Sequence, residues 1–438
     1  MEIDQLIQAK WIIPVQPADA ILQHHSLAIN AGQIIDILPS DLARQKYNAR
    51  STFDCLTHAI IPGFVNSHTH AAMNLLKGLA DDLPLMHWLH QHIWPAEARW
   101  LSETFVRDGT RLAIAEMLRS GTTTFNDMYL FPDVAVRCVQ QSGIRASIGM
   151  VALDFPTPWA QNADEYINKG LVLYDQVKAE SLIQMSFAPH APYTVSDPAL
   201  SRIATLSNEL ECPIHIHVHE TAQEINDAIS SNGQRPLERL DQLGLVTPHL
   251  QAVHVTQLTI EDIELLSQRG AHAIHCPESN MKLASGICPV PQLLEAGINV
   301  ALGTDGCASN NDLDMLGEMR SAALLAKASN SDASLLPAKQ VLQMATLNGA
   351  RALGIDHMTG SLEVGKSADL VAINLETIET QPIYDPLSTL IYATSREAVE
   401  HVWVAGKHLL NHRRLTTLDE TELLQSAHAW QEKIASTA

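Results

Sequence analysis

Short apolar runs alternate with longer stretches of helical spacing through the middle of the chain, beginning near residue 58. Eight runs read as strands: "AIIPGFVNSHTH", "GTTTFNDM", "RASIGMVAL", "IQMSFAPH", "CPIHIHVHE", "LQAVHVTQL", "AHAIHCPES" and "NVALGTDG". Between them, segments such as "FVRDGTRLAIAEMLRS" and "PALSRIATLSNEL" carry apolar residues at helical spacing. Strands separated by helices imply βα units and a parallel sheet, and eight units predict a closed (β/α)8 TIM barrel rather than an open doubly wound sheet. The flanks differ. "DQLIQAKWIIPV", "HSLAINAGQIIDILP" and "STFDCL" read as small antiparallel strands before the barrel, and strand signals return after it in "GSLEVGKSADLVAINL" and "AVEHVWVAGKHLL". The pattern predicts a small β-sandwich domain built from residues 1–57 and 361–438, with the barrel over 58–360 and the amphipathic "DETELLQSAHAWQEKIAST" as a terminal helix.

Composition narrows the function. The 438 residues carry 28 Lys and Arg against 49 Asp and Glu, a formal charge of −21. That balance argues against nucleic acid or an anionic membrane as partner and fits a small neutral or zwitterionic substrate. Six cysteines are scattered without a C-x-x-C pair and read as reduced thiols of a cytoplasmic protein. The acidic N-terminus has no basic-then-apolar leader, and no run approaches the ~18 apolar residues of a membrane span.

The 21 histidines concentrate interest at the strand ends. His68 and His70 stand two apart, so on a strand both point to one face while Thr69 points away. Alone, such a pair reads as two solvated polar residues. In a barrel, however, the C-terminal strand ends form one rim, where "HIHVHE" of strand five, His254 of strand six and Asp305 of "LGTDG" in strand eight would meet it. Two or three imidazoles with a carboxylate suit a divalent ion such as zinc, iron(II) or cobalt, with a position left for water. Spacing alone does not choose among His215, His217 and His219, which would share a face, and Glu220 follows them at the strand end.

These stretches, together with "PGFVNSHTHAAMNLLKGLADDLPLMHWL", "APHAPYTVS", "HCPESNMKLASGICPV", "GTDGCASNNDLDML" and "GSLEVGKSADLV", resemble the amidohydrolase superfamily and its 5'-methylthioadenosine/S-adenosylhomocysteine deaminase branch over nearly the whole chain. The resemblance implies that His68, His70, His217 and Asp305 hold one divalent ion per subunit, zinc above others. It implies Glu220 and His254 as catalytic partners and leaves His215 and His219 as structural histidines. The reaction expected is hydrolytic replacement of the 6-amino group of an adenine nucleoside by a 6-oxo group, with release of ammonia. Asp305 would take a proton from the attacking water, His254 would orient that water, and Glu220 would protonate ring N1. Glu220 also has a plain structural reading, a carboxylate at the start of a helix opened by "ETAQE".

By the same resemblance Glu97, in "PAEAR", and His190, in "PHAPY", contact the ribose hydroxyls. Their long segment "DDLPLMHWLHQHIWPAEARW" is expected to fold over the rim as a loop forming a lid or wall. Trp88 is a candidate wall for the purine or the 5' group, although its spacing with Leu85 and Leu89 favours core. The chain departs from the strongest homocysteine binders of the family, whose amino-acid carboxylate is held by arginines after strand three: none lies between Arg145 and Arg202. A neutral 5' substituent, as in methylthioadenosine or adenosine, is therefore favoured over S-adenosylhomocysteine. Guanine-type deaminases and triazine chlorohydrolases use the same ligand set, and a catalytically inactive barrel acting as a binding protein is the alternative of another class. Strand four has no lysine for a bridging carbamate, which points to a single ion. A homodimer or tetramer working in nucleoside salvage completes the expectation.

Overall fold

All eight apolar runs become parallel strands: Phe64–Thr69, Thr122–Asp127, Arg145–Ala152, Ile183–Pro189, Ile214–Val218, Leu250–His254, His272–His275 and Asn299–Leu302. They pair in sequential order in one eight-stranded sheet. The computed structural model describes residues 1–436, so the last two positions of the expected 361–438 block lie outside the described residues. The second, third and fifth of these strands are buried along their whole length, polar positions included, because helices cover the outer face and side chains fill the interior.

The first and eighth strands meet where the chain needs least volume. A Cβ on Gly303 would lie 2.7 Å from the His68 nitrogen and 2.8 Å from its Cβ, so only glycine permits this approach. Just beyond, Asp305 N–H donates to His68 O at 3.0 Å, and the Thr304 amide donates to Asn66 Oδ1 at 3.0 Å.

The terminal segments join in a second, mixed sheet of eight strands. Its central strand, Asn48–Pro62, runs through the expected 57/58 boundary, pairing in parallel with Glu2–Ile12 and antiparallel with Leu370–Asn374. Alternation along the strands sorts the two faces. Ala59, Ile61, Val371 and Ile373 belong to the large core shared with the barrel, whereas Ile60, Leu370 and Ala372 pack with Ile7, Leu27 and Trp403 in a separate cluster. The terminal helix Glu420–Ala435 starts at an Asp419 cap and sets Trp430 edge-on against Phe105 of the barrel helix Glu103–Arg119, with the indole N–H donating to Asp108.

A buried ion pair ties the two units. Arg145, at the start of strand three, meets Asp369 at 2.9 Å, and Asp369 also accepts from the Ala405 amide and Ser367. Burial opposes ionisation of Asp369, but the Arg145 charge and these hydrogen bonds hold its carboxyl below the usual range. Arg145 thus serves the junction and lies at the end of its strand away from the rim. All six cysteines are unpaired and buried, and no helix among the described residues is long and apolar enough to cross a membrane.

Removing one partner of a buried pair strands the other charge. Asp369→Ala is expected to lower the unfolding free energy by about 3–5 kcal/mol in urea denaturation. Replacing both partners by apolar residues of similar volume should restore most of that loss.

Candidate active site

Three strand ends aim their side chains at one point. His68 Nε2 lies 3.2 Å from His217 Nε2 and 3.2 Å from Asp305 Oδ1, and His70 Nε2 lies 3.3 Å from the same oxygen. All four ligand atoms fall within 4.8 Å of one another. The other ring nitrogens are already engaged: His68 Nδ1 with His215 Nε2 at 2.9 Å, His70 Nδ1 with Met128 O at 2.5 Å, and His217 Nδ1 with His190 O at 2.8 Å. Such contacts fix ring orientation and leave the Nε2 atoms as the ligands. Asp305 is seated likewise, its Oδ2 accepting from Ser279 and Ser309 Oγ at 2.7 Å each. Three imidazoles and a carboxylate, each held from behind, fit a divalent ion of the zinc class.

Backbone geometry resolves the ambiguous strand. Ile214–Val218 ends before His219, whose φ of 55° turns the chain out of the ladder. His217 keeps the rim-facing side, and His219 is diverted to accept from the Leu237 amide at 3.1 Å. The same turn brings Glu220 back toward the cavity, 3.8 Å from His254 Nε2, with Ser285 donating to it at 3.2 Å. His254 and Asp305 also take positive φ values, 74° and 64°, and Asn280 holds His254 Nδ1 at 3.0 Å. Left-handed backbone at non-glycine residues clusters where a side chain must be re-aimed, as at this rim.

A cavity of about 630 Å³ opens above these groups. His70, His217, Glu220, His254, Asp305, Glu97, His190 and Trp88 all reach it. The segment expected as a loop over the rim is instead largely helical, Leu85–Trp88, a π turn over Leu89–Ile93, then Trp94–Trp100, because its apolar residues pack inward at helical spacing. It sets Glu97 against Tyr129, whose hydroxyl donates at 2.6 Å. Trp88 is 5% exposed, packs in the core and lines the cavity, with its indole N–H lacking a hydrogen-bond partner among the described residues. His190 Nδ1 contacts Thr194 Oγ1 at 3.1 Å. Among the described residues no lysine or arginine lines this cavity, and Leu153, Phe155, Pro156 and Pro158 contribute apolar side chains to its lining.

Burial dominates the titration of these groups. It pushes the Glu220 carboxyl up to about 8, with the Asp305 charge adding to the rise, and lowers His254 to about 4. His70 behaves oppositely, because the hydrogen bond and charge of Asp305 outweigh burial and lift it to about 9.

The model of the amidohydrolase family matches residues 59–409. The chain belongs to the amidohydrolase family. Over 98% of its length this amidohydrolase is 49% identical to a protein of Saccharophagus degradans named 5-methylthioadenosine/S-adenosylhomocysteine deaminase, covering 97% of that relative. A crystal structure of a Xanthomonas campestris adenosine deaminase with bound zinc superposes with a TM-score of 0.98 at 50% identity, covering 100% of this chain and 99% of that one. A zinc complex of the atrazine chlorohydrolase TrzN from Arthrobacter aurescens shares the fold, with a TM-score of 0.91 at 21% identity over 97% of this chain and 99% of that one.

Most residues that support the ligands of this amidohydrolase carry no sequence signal. His215, which spacing leaves open as a ligand and the resemblance implies to be structural, supports a ligand: its Nε2 engages the far nitrogen of His68. Tyr129, Ser279, Asn280, Ser285 and Ser309 left no such signal, since each reaches the site from a loop or helix start.

In the ion-free amidohydrolase His70 is protonated at neutral pH, whereas a ligand imidazole must be neutral. Binding of a divalent ion at pH 7 should therefore release about one proton, measurable by calorimetry in buffers of different ionisation enthalpy. Apparent affinity should rise with pH and level off above about 9, where His70 no longer carries the competing proton.

Proposed function

We propose that the chain is a metal-dependent hydrolytic deaminase of adenine nucleosides, with methylthioadenosine-type substrates preferred. One observation carries this reading: a four-residue ligand set, a buried acid and a carboxylate suited to ribose meet at one cavity that no lysine or arginine lines among the described residues. Near full-length similarity to proteins named 5-methylthioadenosine/S-adenosylhomocysteine deaminase supports it.

His68, His70, His217 and Asp305 would hold one zinc ion, whose chemistry is to lower the pKa of a bound water to ~7 and supply hydroxide at neutral pH. Asp305 takes the water proton, with Ser279 and Ser309 holding its carboxylate in place. His254, kept largely neutral by burial, steers the nucleophile and stabilises the charge that develops on oxygen. Glu220 enters protonated, since burial disfavours its charge, and donates to ring N1 as C6 is attacked. The proton on Asp305 then leaves with the amine as ammonia, and the C6 hydroxyl proton returns to Glu220 as the 6-oxo group forms. Glu97, with one oxygen taken by Tyr129, offers the other to a ribose hydroxyl, and His190 flanks the same region. The Trp88 N–H and ring offer a donor and a flat wall.

The apolar residues of the lining, Leu153, Phe155, Pro156 and Pro158, support a neutral 5' group, because a homocysteine carboxylate against them would lose its water without gaining a lysine or arginine. The buried, unpaired thiols fit a cytoplasmic enzyme of nucleoside salvage.

Deaminase assays on the zinc-loaded protein, following adenine-to-hypoxanthine absorbance, test the reading. Methylthioadenosine should exceed S-adenosylhomocysteine in kcat/KM; activity on guanine with none on nucleosides would overturn it. Glu220→Gln should keep its metal and lose about 10²-fold or more in kcat/KM. Because the acid form of Glu220 is the active one, kcat/KM should fall with one proton as pH rises, the limb lying at or below about 8 since a bound cation favours the carboxylate.

A further inference from the structure

A second cluster of metal-ligating side chains lies in the accessory sheet, apart from the barrel rim. His58, Glu400 and His401 each present a ligand atom within 4.8 Å of the others. His58 Nε2 is 3.0 Å from Glu400 Oε2, and His412 Nδ1 approaches the same oxygen to 3.8 Å. His58 and His401 are buried, Glu400 is half-buried, and His412 stands exposed at the edge. We propose that these residues form a second divalent-cation site of the zinc class, structural in role and independent of the catalytic centre.

Backbone irregularities build the cluster. Glu400 and His401 are consecutive on the strand Val399–Val404 and would point to opposite faces of a regular ladder. The register against Leu370–Asn374 slips between Ala372↔His401 and Ile373↔Val399, leaving Glu400 as the extra residue of a β-bulge. A bulge sets two residues against one on the partner strand and re-aims a side chain, which lets both groups converge on His58. The hairpin at His412 and Arg413 adds a second irregularity, with φ values of 45° and 62° at two bulky residues where glycine or asparagine is usual. That turn places the His412 ring 4.4 Å from the His401 ring.

The donors are held as ligands are. Asn374 donates to Glu400 Oε1 at 3.0 Å, leaving Oε2 toward the imidazoles. His401 Nδ1 meets His408 Nε2 at 3.2 Å, and the His408 ring is itself stacked on Trp403 at 4.4 Å and 7°. Imidazoles with one carboxylate suit zinc, cobalt(II) or nickel. An ion here would pin three segments distant in sequence, the strand Asn48–Pro62, the strand Val399–Val404 and the hairpin.

Equilibrium dialysis of the full chain against zinc alone, with elemental analysis, tests the proposal. Two ions per chain are expected for the parent protein. Asp305→Asn should lose the rim ion and keep the other, whereas Glu400→Gln should lose only the second. His412→Ala, at an exposed position where folding is not at stake, should weaken the second site by about tenfold or more with deaminase turnover unchanged. Zinc should also raise the Tm of Asp305→Asn and fail to raise that of Asp305→Asn combined with Glu400→Gln. Uptake of a single ion by the parent protein in excess zinc, or a second ion indifferent to both Glu400→Gln and His412→Ala, would overturn the site.

Discussion

Closure of the barrel between its first and last strands is the constraint on which the rest depends. The Asp305 amide bonds to the His68 carbonyl, and Gly303 lets the two backbones approach with no side chain between them. Without that seam Asp305 would not face His68 and His70, and the ligand set would be three histidines on two strands. The carboxylate charge that this seam brings to the histidines also lifts His70 and, added to burial, Glu220. One contact therefore sets ligand geometry and proton affinity together.

Around the ligands lies a layer of groups that holds them. His215, Met128 O and His190 O occupy the far nitrogens of the three histidines, and two serines occupy the far oxygen of Asp305. Each contact removes a rotameric alternative before an ion arrives, which lowers the entropic cost of assembling the site. Glu220 and Glu97 are separately positioned, Glu220 by the turn at His219 and Glu97 by Tyr129 on a helical segment folded over the rim.

The accessory sheet is joined to this machinery through its backing of the barrel. Its central strand runs on into the strand that carries His68, and the Arg145–Asp369 pair anchors the base of strand three. The alternating pattern of Ala59, Ile60 and Ile61 lets one strand serve two cores at once. The bulge and hairpin that gather His58, Glu400, His401 and His412 sit on the same sheet.

Local pattern determined a large part of this. Short apolar runs alternating with segments of helical spacing identified eight strands and their helices, since both are properties of the single chain. The H-x-H spacing put His68 and His70 on one face for the same reason, and the resemblance carried by neighbouring motifs selected His217 and named Glu97 and His190. Tertiary structure alone decided what depends on a departure from the ideal strand or on a distant partner. A positive φ at His219 turned that histidine away and Glu220 inward; apolar packing made the rim segment helical; and Arg145 found Asp369, more than two hundred positions on. His215 looked incidental until His68 stood beside it, and Glu400 and His401 share a face only because the strand bulges. Periodicity records which way a regular chain points its side chains. Bulges, turns and long-range pairs are set by the free energy of closing the whole fold, so no window of sequence contains them.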